Sequence, residues 1–460
     1  MTGETLPGRP GTLTAHEEEK LREFWVATLQ VFGVLDPHAD TNGTSGDSEV
    51  SNGNVKSDTS ASEKPKKKRF SALRRKHKDD DSASTKSSST ASRISNASDA
   101  EDKYGQTKEF HDALASLPPA SIRAAFWSMV KYDHPDALLL RFLRARKWDV
   151  DKALVMMIST MRWRASDMHV DDDIMKNGEL GALEDEKGTD AEKKKQAEGF
   201  LMQMRLGKSF LHGKDKAGRP MCFVRARLHK QGEQTDESLE KYTVFVIESA
   251  RMLLEPPIDT ADYAPVKFMI KCFEANYPEC LGVVLVHRAP WVFQGIWKII
   301  RGWLDPVVAS KVHFTNNVEE MSEFVARSQI LKELGGDEDW EYKFVEPIPG
   351  ENDKMKDTAT RDKLLTGREA IVGKYEKATI EWINSEGNKP DLKSKRTELA
   401  KELRDDYWKL DPYVRARSLY DRVGVVNAGG KLNFYPKVKG SETQTPVATS
   451  KVETSTDDID

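Results

Sequence analysis

The most apolar part of the chain lies between residues 262 and 315, where two hydrophobic patterns alternate. Apolar residues recur at helical spacing over residues 265–276, and residues 282–287 form a short aliphatic run typical of a strand buried on both sheet faces. The next segment is apolar over far more than the stripe of about 100° that packing on one side requires. We therefore predict helix, strand, helix and strand, ending near residue 315, with an apolar partner on the second face of the second helix. Its apolar side chains are Trp291, Val292, Phe293, Ile296, Trp297, Ile299, Ile300, Trp303 and Leu304.

An amphipathic pattern near the N-terminus predicts a separate helix at residues 15–32. Thr14 and Glu17 have the spacing of a capping box, and Gly33 can end the helix. Two interpretations remain open. The helix docks on the main domain, or it binds a partner or a membrane surface.

Residues 36–103 contain Ser, Asn, Asp and Lys with almost no large apolar side chain. Such a segment cannot offset an ordering entropy of about 1 to 2 kcal/mol per residue, so we predict a disordered linker. Basic runs at residues 64–69 and 74–78 could bind anionic lipid, act as a nuclear address, or form a solvated spacer. Nucleic-acid binding is not expected, because Phe70 is the only aromatic residue among these charges.

The remaining patterns divide the chain further. Helical spacing dominates residues 104–170 and 350–436, with Pro412 expected to kink or split the last long helix. Between them, residues 171–349 mix helices with strands, the first at 220–227. We predict an α/β protein in six parts: an N-terminal helix (1–35), a linker (36–103), a helical lobe (104–170), an α/β domain (171–349), a helical extension (350–436) and a disordered tail (437–460).

Composition and short motifs limit the possible classes of function more than they limit the fold. The 460 residues can form one large or two ordinary domains, and the net charge of −4 averages over unlike parts. We expect neither a signal peptide nor a membrane span, and free thiols for all three cysteines. The sequence lacks GxxxxGK[ST], GxSxG and HExxH motifs, so we expect no enzyme, cofactor or metal site, with an unfamiliar active site as the remaining enzymatic alternative.

Five motifs in order resemble the CRAL-TRIO lipid-binding family, and within it the fungal phosphatidylinositol transfer proteins of the secretory pathway. They are LRFLRARKWDV (140–150), GRPMCFVRAR (218–227), NYPECLG (276–282), VLVHRAPW (284–291) and LDPVVASK (304–311). The resemblance covers residues 133–336. It implies a helical lobe on a mixed sheet, with a helical gate over an apolar pocket, and it leaves the N- and C-terminal helices as additions.

By this resemblance, the chain binds and transfers one phospholipid. Phosphatidylinositol is the preferred ligand and phosphatidylcholine the second candidate. The implied head-group residues are Arg146, Lys147, Glu279 and Lys311, with Glu279 either accepting from inositol hydroxyls or holding Lys311. Gate and acyl pocket map to Trp291, Phe293, Ile296, Trp297, Ile300, Trp303 and Leu304. A hydroxyl residue is common in the family where this chain has Val308. We expect a cytoplasmic monomer that acts peripherally at membranes.

One departure from the family lies at residues 255–264, which read EPPIDTADYA. The family has its central strand and a Gly-containing turn here, so the sequence predicts that this strand is missing. Either the protein is a variant that closes or refills the gap, or the strand was lost through mis-splicing or an error in the gene prediction. A defective pocket would favour a second function, that of a membrane-recruited interaction or regulatory protein.

Overall fold

The computed structural model describes residues 6–36, 102, 104–230, 232–255, 272–291, 293–302, 304–387 and 389–436. Nearly all of the predicted linker, the predicted tail and most of the segment with the predicted strand gap lie outside these ranges. For residues 272, 273, 294 and 296, only the backbone is described.

The helical lobe follows the predicted pattern. It consists of α1 (Ala15–Val31), α2 (Gln106–Ser116), α3 (Pro119–Val130), α4 (Pro135–Ala145) and α5 (Val150–Arg162). Both hydrogen bonds of the predicted capping box at Thr14 and Glu17 are present, and Gly33 follows the end of α1 with a left-handed φ of +70°. The apolar face of α1 is buried, with Phe24 and Trp25 fully inaccessible. This helix is therefore docked on the protein.

Two long helices near the C-terminus, α12 (Thr358–Ile383) and α13 (Pro390–Val414), complete this docking site. Asp136 of α4 joins them to the lobe, because its carboxylate accepts hydrogen bonds from Trp25 of α1 at 2.7 Å and Tyr375 of α12 at 3.1 Å, and pairs with Arg396 of α13. Pro412 lies inside the last turn of α13. The predicted split follows two residues later, where α13 ends before the short helix α14 (Leu419–Arg422).

The α/β part begins after α5 with two short π-helical turns. Its helices are α6 (Met175–Glu186), α7 (Ala191–Leu206), α8 (Asp236–Arg251), α9 (Phe293–Arg301), α10 (Pro306–Ser310) and α11 (Val318–Met321). Its strands are β1 (Ser209–Lys214), β2 (Pro220–Val224), β3 (Val284–His287) and β4 (Val312–Thr315). The strand, helix and strand predicted over residues 282–315 are confirmed, and the described end of the first predicted helix, Cys272–Asn276, is a π-helical turn.

Within the described ranges the strands form separate pairs, so the mixed sheet that the resemblance implies stays a prediction. β1 and β2 are antiparallel, β3 and β4 are parallel, and a small hairpin joins β5 (Val426–Asn427) to β6 (Lys431–Leu432). Within the described ranges no strand pairs with both β2 and β3, so the first two pairs are not joined by backbone hydrogen bonds. Residues 256–271 lie outside the description, and the missing central strand therefore stays a prediction.

The outer edge of β1 is covered by tyrosine hydroxyls. Tyr242 accepts the N–H of residue 209 at 2.8 Å, Tyr420 that of residue 211 at 2.9 Å, and Tyr435 that of residue 214 at 3.0 Å. Two of these tyrosines belong to residues 415–436, the C-terminal strap, which also bonds to α6 through the backbone of Ala416. The strap thus satisfies strand donors that would otherwise form an open edge.

A buried ionic cluster around Glu248 of α8 joins the lobe to the α/β part. Lys131 and Arg164 each donate to its carboxylate at 2.6 Å, and the Tyr277 hydroxyl donates at 2.8 Å. Tyr277 lies two residues before Glu279, so this cluster fixes one end of the segment that carries a predicted site residue.

Candidate functional site

Three segments meet at the C-terminal end of α4. They are residues 144–148 at the end of α4, residues 274–281 before β3, and residues 305–311, which include α10. We call this region the α4–α10 junction. It contains all four predicted head-group residues: Arg146, Lys147, Glu279 and Lys311.

Arg146 lies where the helix ends and is half-buried. Its Nη2 donates to the side-chain oxygen of Gln106 at 2.7 Å, and Gln106 in turn donates to the carbonyl of Ala275 at 3.0 Å. Burial lowers the pKa of the Arg146 guanidinium, although the carboxylates of Asp102 and Asp305 act in the opposite direction. The side chain is thus a desolvated cation surrounded by acidic groups.

Glu274 connects the start of α10 to the lobe through hydrogen bonds. Its carboxylate accepts the backbone N–H of Asp305 at 3.0 Å and the hydroxyl of Tyr104, just before α2. Asp305 caps α10 by accepting the N–H of Val307 at 2.7 Å. The junction therefore contains a further carboxylate, that of Glu274, which the sequence analysis did not find.

Glu279 pairs with Arg144 and not with Lys311. The Nε of Arg144 lies 3.4 Å from Glu279 Oε2, whereas the Nζ of Lys311 donates to the carbonyl of Leu281 at 2.7 Å. The suggestion that Glu279 holds Lys311 is wrong, because Arg144 at the end of α4 reaches this carboxylate and Lys311 takes a backbone acceptor instead. Lys147 is exposed, and no described residue pairs with it.

Sequence reasoning missed Arg144, although this residue belongs to the same RARK motif as Arg146. Helix geometry was the available signal: α4 ends at Ala145, so Arg144 lies in its last turn while Arg146 lies beyond it. No local pattern in the sequence pointed to Tyr104 or Glu274, because the hydrogen bond between them joins residues 170 positions apart.

The predicted gate helix, α9, has one packed face and one exposed face. Phe293 and Trp297 contact Phe314 of β4, with ring centroids 6.1 and 5.6 Å apart. Ile300 is half-buried and Leu304 is buried, whereas the side chains of Ile296 and Trp303 lie outside the description. The second apolar face is therefore exposed, and no described residue covers it as the apolar partner that the sequence predicted.

The exposed face of α9 combines apolar and basic side chains. Trp291, just before the helix, is 87% exposed, and Ile299, two turns later, is 59% exposed. Lys298 and Arg301 are also exposed, as is Val307 on the neighbouring α10. We call these five residues the gate surface.

Two open clefts lie away from the junction. A cleft of about 860 Å³ between α12 and α13 is lined mainly by lysine, glutamate and aspartate, and one of about 520 Å³ lies between α6 and α7. The charged lining of the first cleft is unsuited to an acyl chain. Among the helices of the described ranges, none combines the length and apolarity needed to cross a bilayer.

Two family profiles match the chain. The profile of the CRAL/TRIO N-terminal domain matches residues 106–159. The profile of the CRAL/TRIO domain matches in two pieces, residues 204–263 and 257–336, which meet in the stretch where the strand gap is predicted.

Two fungal proteins resemble the chain over nearly its whole length. A CRAL-TRIO domain-containing protein of Schizosaccharomyces pombe is 41% identical over 438 residues, which cover 91% of this chain and 92% of that protein. The phosphatidylinositol transfer protein CSR1 of Eremothecium gossypii is 38% identical over 456 residues, covering 93% of this chain and all of its own. On this similarity, the chain belongs to the CRAL-TRIO family.

Proposed function

We propose that the protein binds one phospholipid, phosphatidylinositol in preference to phosphatidylcholine, and carries it between membranes without covalent chemistry. The proposal rests on α10, which belongs to the α4–α10 junction and follows α9 after only four residues of the chain. This arrangement sets cations and carboxylates next to an aromatic, partly exposed helix. The similarity to a phosphatidylinositol transfer protein over 93% of the chain supports the same conclusion.

The energetics of transfer explain why such a protein needs an enclosed apolar site. Two acyl chains contain about 32 methylenes, and exposing each to water costs ~0.8 kcal/mol, on the order of 25 kcal/mol in all. A pocket removes most of this barrier. Since the bilayer and the pocket are both apolar, contacts with the head group have to decide which lipid is retained.

The groups at the junction suit an inositol phosphate. Arg146 and Lys311 are cations that can approach a phosphate, and Lys147 adds an exposed charge nearby. Inositol hydroxyls need acceptors, which Glu279 and Glu274 can supply. A choline head group offers no hydroxyl donors, so only inositol can donate hydrogen bonds to these carboxylates.

The gate surface can bind the membrane from which lipid is exchanged. Exposed Trp291 and Ile299 can enter the interfacial layer of a bilayer, while Lys298 and Arg301 attract anionic head groups. We propose that α9 opens there, with Trp291, Phe293, Ile296, Trp297, Ile300, Trp303 and Leu304 forming the gate and acyl pocket. The protein then acts as a monomer, peripherally at cytoplasmic membrane surfaces. The division of the chain into the six parts given above is also part of this proposal.

Burial of α1 weighs against the alternative of an interaction protein, because its apolar face is not available to a partner. The basic linker remains as a recruiting element. If recruitment were the function, deletion of residues 36–102 would abolish membrane association. A carrier keeps its bound lipid after the same deletion, as native mass spectrometry can measure.

The proposal is tested by native mass spectrometry of the purified chain, followed by lipid extraction and transfer assays. We expect stoichiometric phosphatidylinositol or phosphatidylcholine. Lys311→Ala should lower phosphatidylinositol transfer roughly tenfold, the value of one charge-assisted contact, and spare phosphatidylcholine. Lys332→Ala on the exposed surface serves as the control. Equal loss of both lipids on changing Lys311 would place the head group elsewhere, and an empty protein would refute the proposal.

A further inference from the structure

Residues 6–13 fold into a compact pair of turns, here called the N-terminal turn. The hydroxyl of Thr12 donates to the carbonyl of Leu6 at 2.7 Å and accepts the N–H of Arg9 at 3.1 Å. Gly8 and Gly11 have left-handed φ values of +72° and +92°. The turn therefore has a defined shape before α1 begins.

Arg144 connects this turn to the α4–α10 junction. Its Nη1 donates to the carbonyl of Gly8 at 2.7 Å, and its Nε lies 3.4 Å from the carboxylate of Glu279. The side chains of Arg144 and Glu279 are only 11% and 22% exposed. The guanidinium is thus held between the N-terminal turn and a proposed head-group residue.

The backbone around this contact is strained and closely packed. Lys147, Trp148 and Glu279 have φ values of +52°, +67° and +59°, in a region that non-glycine residues rarely adopt. A Cβ at Gly8 would lie 3.3 Å from Arg144 Cδ and 3.4 Å from the indole of Trp148. Such conformations persist where the surroundings fix them, and they concentrate at binding sites.

We infer that Gly8 of the N-terminal turn belongs to the head-group end of the lipid site, whereas Gly11 lies outside it. Gly8 positions Arg144, and Arg144 in turn positions the carboxylate of Glu279 to accept hydrogen bonds from inositol hydroxyls. Arg144 is a positioning residue, because its contacts are with Gly8 and Glu279. The inference rests on the proposed function and adds a determinant of lipid selectivity located about 130 residues before the motif that contains Arg144.

The test compares two glycines in the same turn. Gly8→Ala and Gly11→Ala both place a side chain at a left-handed φ, but a Cβ at Gly11 meets nothing within 4 Å. The purified variants are incubated with vesicles containing equal amounts of phosphatidylinositol and phosphatidylcholine. Native mass spectrometry then gives the ratio of the two lipids bound, and thermal unfolding reports the shared backbone strain.

We expect Gly8→Ala to lower the ratio of phosphatidylinositol to phosphatidylcholine, while Gly11→Ala leaves it unchanged. Arg144→Gln should lower the same ratio roughly tenfold by removing the charge beside Glu279, and Arg144→Lys should recover part of it. Binding of phosphatidylcholine should persist in all four variants, because it does not use the carboxylate.

An unchanged ratio in Gly8→Ala and Arg144→Gln, with wild-type protein that loads phosphatidylinositol, would overturn the inference and leave the proposed function intact. Equal shifts in the two glycine variants would also overturn it, since backbone strain alone would then explain the effect. A wild-type chain that loads neither lipid would refute both.

Discussion

Glu248 is fully buried, and its charge is maintained by cations from its own helix and from two distant segments. Burial by itself would raise the pKa of this carboxyl, but Arg164, Lys131 and Arg251 outweigh that effect and hold the pKa well below its ordinary value of 4.5. Because the folded-state pKa is depressed, the group contributes stability that is present above pH 4.5. This stability is lost as the pH falls toward the folded-state pKa.

Glu248→Gln should lower the free energy of unfolding by about 3 to 5 kcal/mol at pH 7, since it leaves three cations buried without their common anion. Denaturant titrations at pH 7 and below pH 4.5 measure the effect, and the gap between variant and wild type should narrow at the acidic pH. The exposed Glu319, substituted in the same way, should change stability little. A variant as stable as wild type at pH 7 would show that the cluster is not a stabilising one.

Among its described side chains, α9 packs on one face. Contacts between its aromatic residues and Phe314 hold that face, while Trp291 and Ile299 on the other face contribute exposed apolar area. Apolar residues that are exposed in the folded protein add little to its stability. Their effect should therefore appear in binding to a membrane and not in unfolding.

Trp291→Ser should weaken association with phosphatidylcholine vesicles containing phosphatidylserine by about tenfold to a hundredfold, the value of burying one large aromatic side chain. Thermal stability should stay within about 0.5 kcal/mol of wild type. Sedimentation with vesicles measures the first quantity, and Leu365→Ser, at an exposed position of α12, is the matched control. Identical vesicle binding by the two variants would show that the gate surface does not contact the membrane.

In the protein as a whole, segments from before and after the CRAL-TRIO domain pack against it. α1 lies against α12 and α13 through Asp136, and the C-terminal strap covers the edge of β1. The interior is less regular, since β1–β2 and β3–β4 are separate pairs within the described ranges. A strand between β2 and β3 would join them into one sheet.

Insertion of a family-like strand and turn after Ala261 should raise the thermal stability and the fraction of chains that carry lipid. The inserted strand could pair on both sides and close the sheet beneath the pocket. Native mass spectrometry and calorimetry compare the two proteins, and a glycine-serine insert of equal length controls for chain length. Full lipid loading by the original chain, with reduced loading after insertion, would show that the shorter form is a functional variant.

Local patterns in the sequence were sufficient for the bounds of α1 and for the apolar excess of α9. The capping box and Gly33 determined where α1 begins and ends, because helix signals lie within a few residues of each other. The motifs likewise identified three segments that meet at the α4–α10 junction. The apolar excess of α9 was visible because helical periodicity is a property of neighbouring residues.

Tertiary structure alone decided which side chains meet. It paired Glu279 with Arg144, gave Lys311 a backbone acceptor, and buried α1 beneath helices more than 300 residues away along the chain. It also divided the described strands into separate pairs. These outcomes depend on packing between distant segments, where several cations compete for one carboxylate, and no periodicity within a single segment specifies which of them is nearest.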